Sequence, residues 1–192
     1  MPELKRYKQA MNAASGIIMV IGCLPYIWAM VTGETVASPV SWVIWATVDA
    51  LALFAMMREG AKCGQIIGTV VGAGAIAVLS LFLGKPTMGS MEWVSIVGAA
   101  TGIILWQTTG NPVTAIICSQ MAVLIGAVPT VVGAYKNPAL EDPLAWCLWL
   151  ASCICALLAI RKWNLANALQ PLTFTAIETT MVFLLVIRPR WF

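Results

Sequence analysis

The sequence predicts an all-α integral membrane protein, with seven transmembrane helices arranged as two parallel three-helix bundles joined by an inversion helix. Composition, the punctuation of the apolar segments and an internal repeat carry that expectation. Of the residues, 60% are hydrophobic and 10% charged, and mean hydropathy is +0.89. A water-soluble domain of 192 residues would bury a good core, but its surface would need far more charge than 11 Lys and Arg and 8 Asp and Glu supply. The net charge of +3 is small and spread over loops, so a lipid bilayer is the expected partner and nucleic acid is not.

Pro, Gly and charged residues divide the apolar sequence into seven blocks, 12–32, 40–57, 63–83, 91–109, 113–134, 143–161 and 167–187. At about 1.5 Å of rise per residue each is expected to cross roughly 30 Å of hydrocarbon as a helix. The first block follows Lys5, Arg6 and Lys8, a pattern that also fits a secretory signal peptide. The second carries Trp42, Trp45 and Asp49 at i, i+3 and i+7, hence on one helix face. The third carries Gly64, Gly68 and Gly72 four apart, and the fourth repeats that spacing at Gly98 and Gly102; small residues so spaced let membrane helices pack closely. The sixth presents Trp146, Trp149 and Cys153 as the second presents its tryptophans and aspartate, and the seventh carries Glu178 near its middle.

The repeat fixes how the blocks group. Gly22, Pro25, Pro39, Trp42 and Trp45 return 104 residues later as Gly126, Pro129, Pro143, Trp146 and Trp149. Ser15/Ser119, Ile21/Ile125, Ala52/Ala156, Leu53/Leu157 and Ala55/Ala159 keep the same offset, so the match spans two apolar segments and the loop between them. Self-similarity at this period in so apolar a chain marks transporters made from repeated helical units. The counterpart of the first block begins near Pro112, where no signal peptide can sit, so 12–32 is read as a true span. Residues 12–83 then form one three-helix unit and 113–187 the other. Three spans end on the wrong side for a second copy to start in the same orientation, so 91–109 is the linking helix, with short tails at 1–11 and 188–192.

On these residues the chain resembles the SWEET and PQ-loop (MtN3-like) class of small-solute transporters, over nearly its whole length. In that class a Pro-Gln pair ends the first helix of each bundle; here the positions read Leu24-Pro25-Tyr26 and Val128-Pro129-Thr130, with the proline kept and the glutamine replaced. Ser38-Pro39-Val40-Ser41 and Asp142-Pro143-Leu144-Ala145 fall where the next helix of the class begins. The resemblance implies that Pro25, Pro129, Pro39 and Pro143 flank a central cavity and act as hinges. A helix-interior proline removes a backbone donor and clashes with the carbonyl four residues back, costing about 3 kcal/mol, so Pro25 and Pro129 should kink their helices. The plainer alternative is that these prolines merely bound helices. Thr69 and Thr173, 104 apart, lie close to where relatives carry a solute-binding asparagine, and Phe54 lies where some single-unit relatives place a tryptophan over the sugar. Threonines in membrane helices more often bond their own backbone four residues earlier.

The tryptophan faces suit a pocket for a sugar, an amine or an aromatic solute, and Trp45 and Trp149 are the expected pocket pair; Trp42 and Trp146, nearer helix starts, also fit an interfacial aromatic belt. Asp49 and Glu178 are the sharpest chemical signal. All 11 Lys and Arg lie in loops, tails or span ends. A carboxylate at the bilayer centre costs at least about 2.5 kcal/mol, so each acid must be neutral, hydrated or paired with something brought from outside. Proton coupling is the expectation this motivates; the alternative is a protonated acid bonded to a neighbour such as Thr47 or Thr175. Gln65, Gln107 and Gln120 are expected to bond between helices.

With no His and with Cys23, Cys63, Cys118, Cys147, Cys153 and Cys155 scattered, no metal-ligand spacing is present and no cofactor is expected. Phosphate loops and nucleophile elbows are missing too, so an enzyme is not expected. The expected function is alternating-access transport of a small polar solute, with proton coupling a candidate feature; the alternative is a non-transporting seven-helix protein, either a cargo receptor or a subunit of a membrane complex. The expected state is a monomer or small homo-oligomer in a plasma or inner membrane. Lys5, Arg6, Lys8, Arg58, Lys62, Arg161 and Lys162 fall on one side of the seven-span plan and Lys85, Lys136, Arg188 and Arg190 on the other. The positive-inside rule therefore puts the N-terminus in the cytoplasm, whereas the resemblance implies the opposite orientation.

Overall fold

The computed structural model describes residues 2–34, 37, 39–84 and 90–188; Ser38, Lys85 and the tail residues 189–192, Arg190 among them, lie outside the described residues. Every regular element in the described part is helical: α1 (Pro2–Thr32), α2 (Pro39–Arg58), α3 (Gly64–Leu83), α4 (Ser90–Thr109), α5 (Pro112–Lys136), α6 (Pro143–Ala159) and α7 (Leu165–Val182). A 3₁₀ turn (Pro138–Leu140) precedes α6, and a π turn (Phe183–Ile187) extends α7. The seven α-helices coincide with the seven apolar blocks. α1 begins ten residues ahead of its block, carrying the basic N-terminal residues on largely exposed helix.

Local chemistry sets the boundaries. After α1, Gly33 takes φ 78° and the N–H of Glu34 reaches back to the Ala29 carbonyl at 2.9 Å. After α2, Gly60 takes φ 66° and the N–H of Ala61 reaches the Met56 carbonyl at 2.9 Å. These are left-handed glycine stops of the Schellman kind. Pro39, Pro112 and Pro143 open α2, α5 and α6 at the position where a missing N–H loses nothing. Asp142 caps α6, its carboxylate accepting from the N–H groups of Leu144 at 2.7 Å and Ala145 at 3.0 Å.

Among the described residues, four helical segments are long and apolar enough to span a bilayer: Pro2–Thr32, Gly64–Leu83, Pro112–Lys136 and Leu165–Ile187. α6 is also apolar but has 17 residues, about 25 Å of helix. The outer surface carries large apolar side chains, with Phe82 80% and Trp28 68% exposed, while Asp49, Gln120, Gln170 and Glu178 are buried.

α3 packs against both α1 and α2, and α7 against both α5 and α6. The two sets meet chiefly along α1–α6 and α2–α5, while α4 packs mainly on α5. The α1–α3 contact is as close as backbones allow: a Cβ on Gly68 would stand 2.5 Å from the Gly16 carbonyl oxygen, and one on Gly64 would strike the Asn12 backbone. Side-chain donors tie α6 and the loop after it to α1. The Ser152 hydroxyl donates to the Ser15 carbonyl at 2.7 Å, the Trp149 indole N–H to the Met19 carbonyl at 3.2 Å, and Arg161 to the Lys5 carbonyl at 3.3 Å. From α1, Lys8 Nζ donates to the Ile160 carbonyl. The α2–α5 seam is instead apolar, with Ala52, Ala55 and Met56 packed with Ala115 and Ile116.

Candidate functional site

Between these helices lies a cavity of about 100 Å³, enough for several waters or part of a small solute. Residues from six helices wall it. α1 supplies Met19 and Cys23, α3 Thr69 and Ala73, and α5 Val123, Ala127 and Thr130. Trp42, Trp45 and Asp49 come from α2, Trp146 and Trp149 from α6, and Phe174, Ile177 and Glu178 from α7. Five wall pairs keep the 104-residue offset: Met19/Val123, Cys23/Ala127, Trp42/Trp146, Trp45/Trp149 and Ala73/Ile177. Much of the wall is therefore the inner face of the sequence repeat.

Aromatic rings form a large part of it. Trp42 and Trp45 meet edge to face with centroids 5.3 Å apart, and Tyr26 tilts against Trp42 at 5.1 Å. On α6, Trp146 and Trp149 make the same arrangement at 5.2 Å. Gly22 is the slot that lets the second pair approach α1, because a Cβ there would stand 2.5 Å from Trp149 Cδ1. Three indole N–H groups point to protein partners. That of Trp42 donates to the Tyr26 hydroxyl at 3.3 Å and that of Trp146 to Glu141 Oε2 at 3.0 Å, while that of Trp149 holds Met19 as above.

The two carboxyls stand apart from this network. Asp49 is 3% exposed and Glu178 5%, and neither Asp49 Oδ1 nor Glu178 Oε2 has a hydrogen-bond partner among the described residues. Two nearby threonines turn their hydroxyls elsewhere. That of Thr47 donates to the Val43 carbonyl at 2.7 Å and that of Thr175 to the Pro171 carbonyl at 2.6 Å, each bonding its own helix. Among the described residues, no Lys or Arg lines the cavity. In the turn before α6, Glu141 is linked to the wall through Trp146. Burial raises its carboxyl above the usual range, and the Trp146 N–H partly opposes that shift.

The structure thus gathers Trp45, Asp49, Thr69, Trp149 and Glu178 around one space. Thr69 bonds the Gln65 carbonyl at 3.1 Å. Two residues expected in the pocket lie elsewhere. Thr173 is buried beside Phe174 but is not part of the wall. Phe54 lies on the outer surface, 46% exposed, with Arg58 5.1 Å above its ring. The helix turns it there: Phe54 is nine residues past Trp45 and five past Asp49, about 180° and 140° around the axis at about 100° per residue.

Pro25 and Pro129 lie inside α1 and α5, each of which continues seven residues beyond its proline, to Thr32 and Lys136; neither proline ends its helix. Pro39 and Pro143 do start α2 and α6. Gln65 bonds between helices as expected, its Nε2 donating to Cys153 Sγ at 2.9 Å. Gln120 is buried with neither amide atom partnered among the described residues, and Gln107 is exposed. Met19, Cys23, Thr130, Phe174 and Ile177 are wall residues beyond those expected from the sequence. Helical spacing holds a signal for some of them, since Met19 and Cys23 lie four apart and their repeat mates Val123 and Ala127 do the same.

The chain matches no family model, and no curated protein or solved structure is significantly similar to it.

Proposed function

We propose that the protein is an alternating-access membrane carrier for a small polar solute, built as two three-helix units, 12–83 and 113–187, joined by the linking helix 91–109. In support, the third helix of each unit packs against the first and second, and the units meet along two seams, α1–α6 and α2–α5. One observation carries the reading: a cavity walled by repeat-related residues from six helices holds two buried carboxyls, each with an oxygen that has no partner among the described residues. Amide atoms of Gln120 and Gln170 are also unmatched away from the wall, but an unmatched buried polar atom costs about 1–3 kcal/mol and more when it is charged, so two carboxyls gathered at one cavity are the costlier feature. Asp49 and Glu178 are the proton-coupling groups of this reading, and the cavity is the solute site.

The test is uptake into liposomes containing the purified protein, with sugars, amino acids and amines supplied with and without an imposed pH gradient. Gradient-driven uptake of one class is expected, and Asp49→Asn and Glu178→Gln should abolish the dependence on the gradient. Uptake of nothing by demonstrably folded protein would contradict the carrier reading and favour a receptor or complex subunit.

A further inference from the structure

We propose that the solute taken by this cavity is a monovalent organic cation of the quaternary or tertiary ammonium type, bound against the indole rings and the carboxyls of Asp49 and Glu178. The inference rests on the carrier reading for its transport role, but its binding chemistry stands on the cavity alone.

A sugar needs a matched set of donors and acceptors for its hydroxyls. Here three of the four indole N–H groups are already committed to Tyr26, Glu141 and Met19, and the Thr69 hydroxyl to Gln65. A polyol could place some hydroxyls on the carboxyl oxygens of Asp49 and Glu178, but the apolar rest of the wall would leave others without partners. An amino acid brings a carboxylate, for which the described wall offers no Lys or Arg. An alkylammonium asks for neither. Tryptophan faces attract it through their negative quadrupole, and a desolvated cation–π contact is stronger than an exposed one. The carboxyls supply the opposite charge, which no basic side chain of the described wall already occupies.

The same two groups also link the cation to protons. In the exchange proposed, one carboxyl gives its proton to water as one ammonium ion enters and takes its place, so charge in the cavity balances. The other ionisable groups facing Glu178 are Cys23 from α1, Cys153 from α6 and Glu141 from the loop before it, with Tyr26 of α1 beside Glu141 rather than the pair, while α3 and α5 contribute none to the described wall. Tyrosine and cysteine are neutral in the acid to neutral range, which leaves the carboxyls to exchange.

Choline and its neutral carbon isostere 3,3-dimethylbutan-1-ol isolate the charge. Binding to the intact protein in nanodiscs, read by tryptophan emission and calorimetry, should be about tenfold or more tighter for choline than for the isostere, for glucose or for betaine. Choline binding in weak buffer should release protons and should weaken as pH falls. Asp49→Asn and Glu178→Gln should each weaken it about tenfold or more, whereas Trp45→Phe, which keeps an aromatic face, should weaken it less than Trp45→Ala. Equal binding of choline and the isostere, or tighter binding of glucose or betaine, would overturn the proposal on the wild-type protein without reference to any variant. Choline bound but never carried into liposomes would uphold the cation site and contradict the carrier reading; sugar uptake without choline binding would do the reverse.

Discussion

Replacing Gly22 by alanine should loosen the cavity wall from behind. The added Cβ would stand 2.5 Å from Trp149 Cδ1, 2.6 Å from Nε1 and 3.3 Å from the Leu148 Cβ, so the indole must move. Overpacking of this kind costs about 1–3 kcal/mol. Displacing the indole also breaks its bond to the Met19 carbonyl, about 1 kcal/mol. Alanine returns about 1 kcal/mol through its better helix propensity, leaving a net loss of about 1–3 kcal/mol. Gly74→Ala is the control, because nothing described lies within 4 Å of a Cβ there and the same propensity gain is unopposed. SDS-induced unfolding in mixed micelles, followed by tryptophan emission, should separate the two variants by about 2–4 kcal/mol, with Gly22→Ala the weaker. If Gly22→Ala unfolds with the wild type, or if Gly74→Ala loses as much, the tight fit of Trp149 on α1 is wrong.

Ser152→Ala removes the 2.7 Å bond to the Ser15 carbonyl and should weaken the α1–α6 seam by about 1 kcal/mol in the same unfolding assay; an unchanged midpoint would count against that bond. Glu141→Gln should change how stability depends on pH. Because burial raises the Glu141 carboxyl, the folded state holds that proton more tightly than the unfolded state, so stability falls as pH rises from the ordinary carboxylate value of about 4.3 through the raised one. The glutamine variant should show a flatter profile over that window, and an unchanged profile would mean that Glu141 meets the same surroundings folded and unfolded.

Helix number and position were legible because proline, glycine and charge interrupt the apolar blocks at the same places where the backbone turns. Trp45, Trp149, Asp49 and Glu178 were legible because helical spacing and the 104-residue repeat put the tryptophans on matching faces and because the acids have no basic neighbours in the spans. What distinguishes the two seams was not. Ser152 bonds α1, but its repeat mate is Val48, which has no side-chain donor; Trp149 bonds Met19 only because Gly22 opens a slot. Such differences depend on which backbone carbonyl a side chain meets across an interface, and periodicity within one helix carries no information about that. Phe54 shows the same limit from the other side, since a position carried over from the resemblance takes no account of the direction in which this helix turns it.

The most direct test of a cavity exposed alternately to both sides is the reactivity of a single cysteine at Thr69, in protein whose six native cysteines have been replaced. A membrane-impermeant thiol reagent, applied to sealed vesicles from one side and then the other, should label that position from both sides while the vesicles stay impermeable to the reagent itself. Labelling from one side only, or from neither, would contradict alternating access.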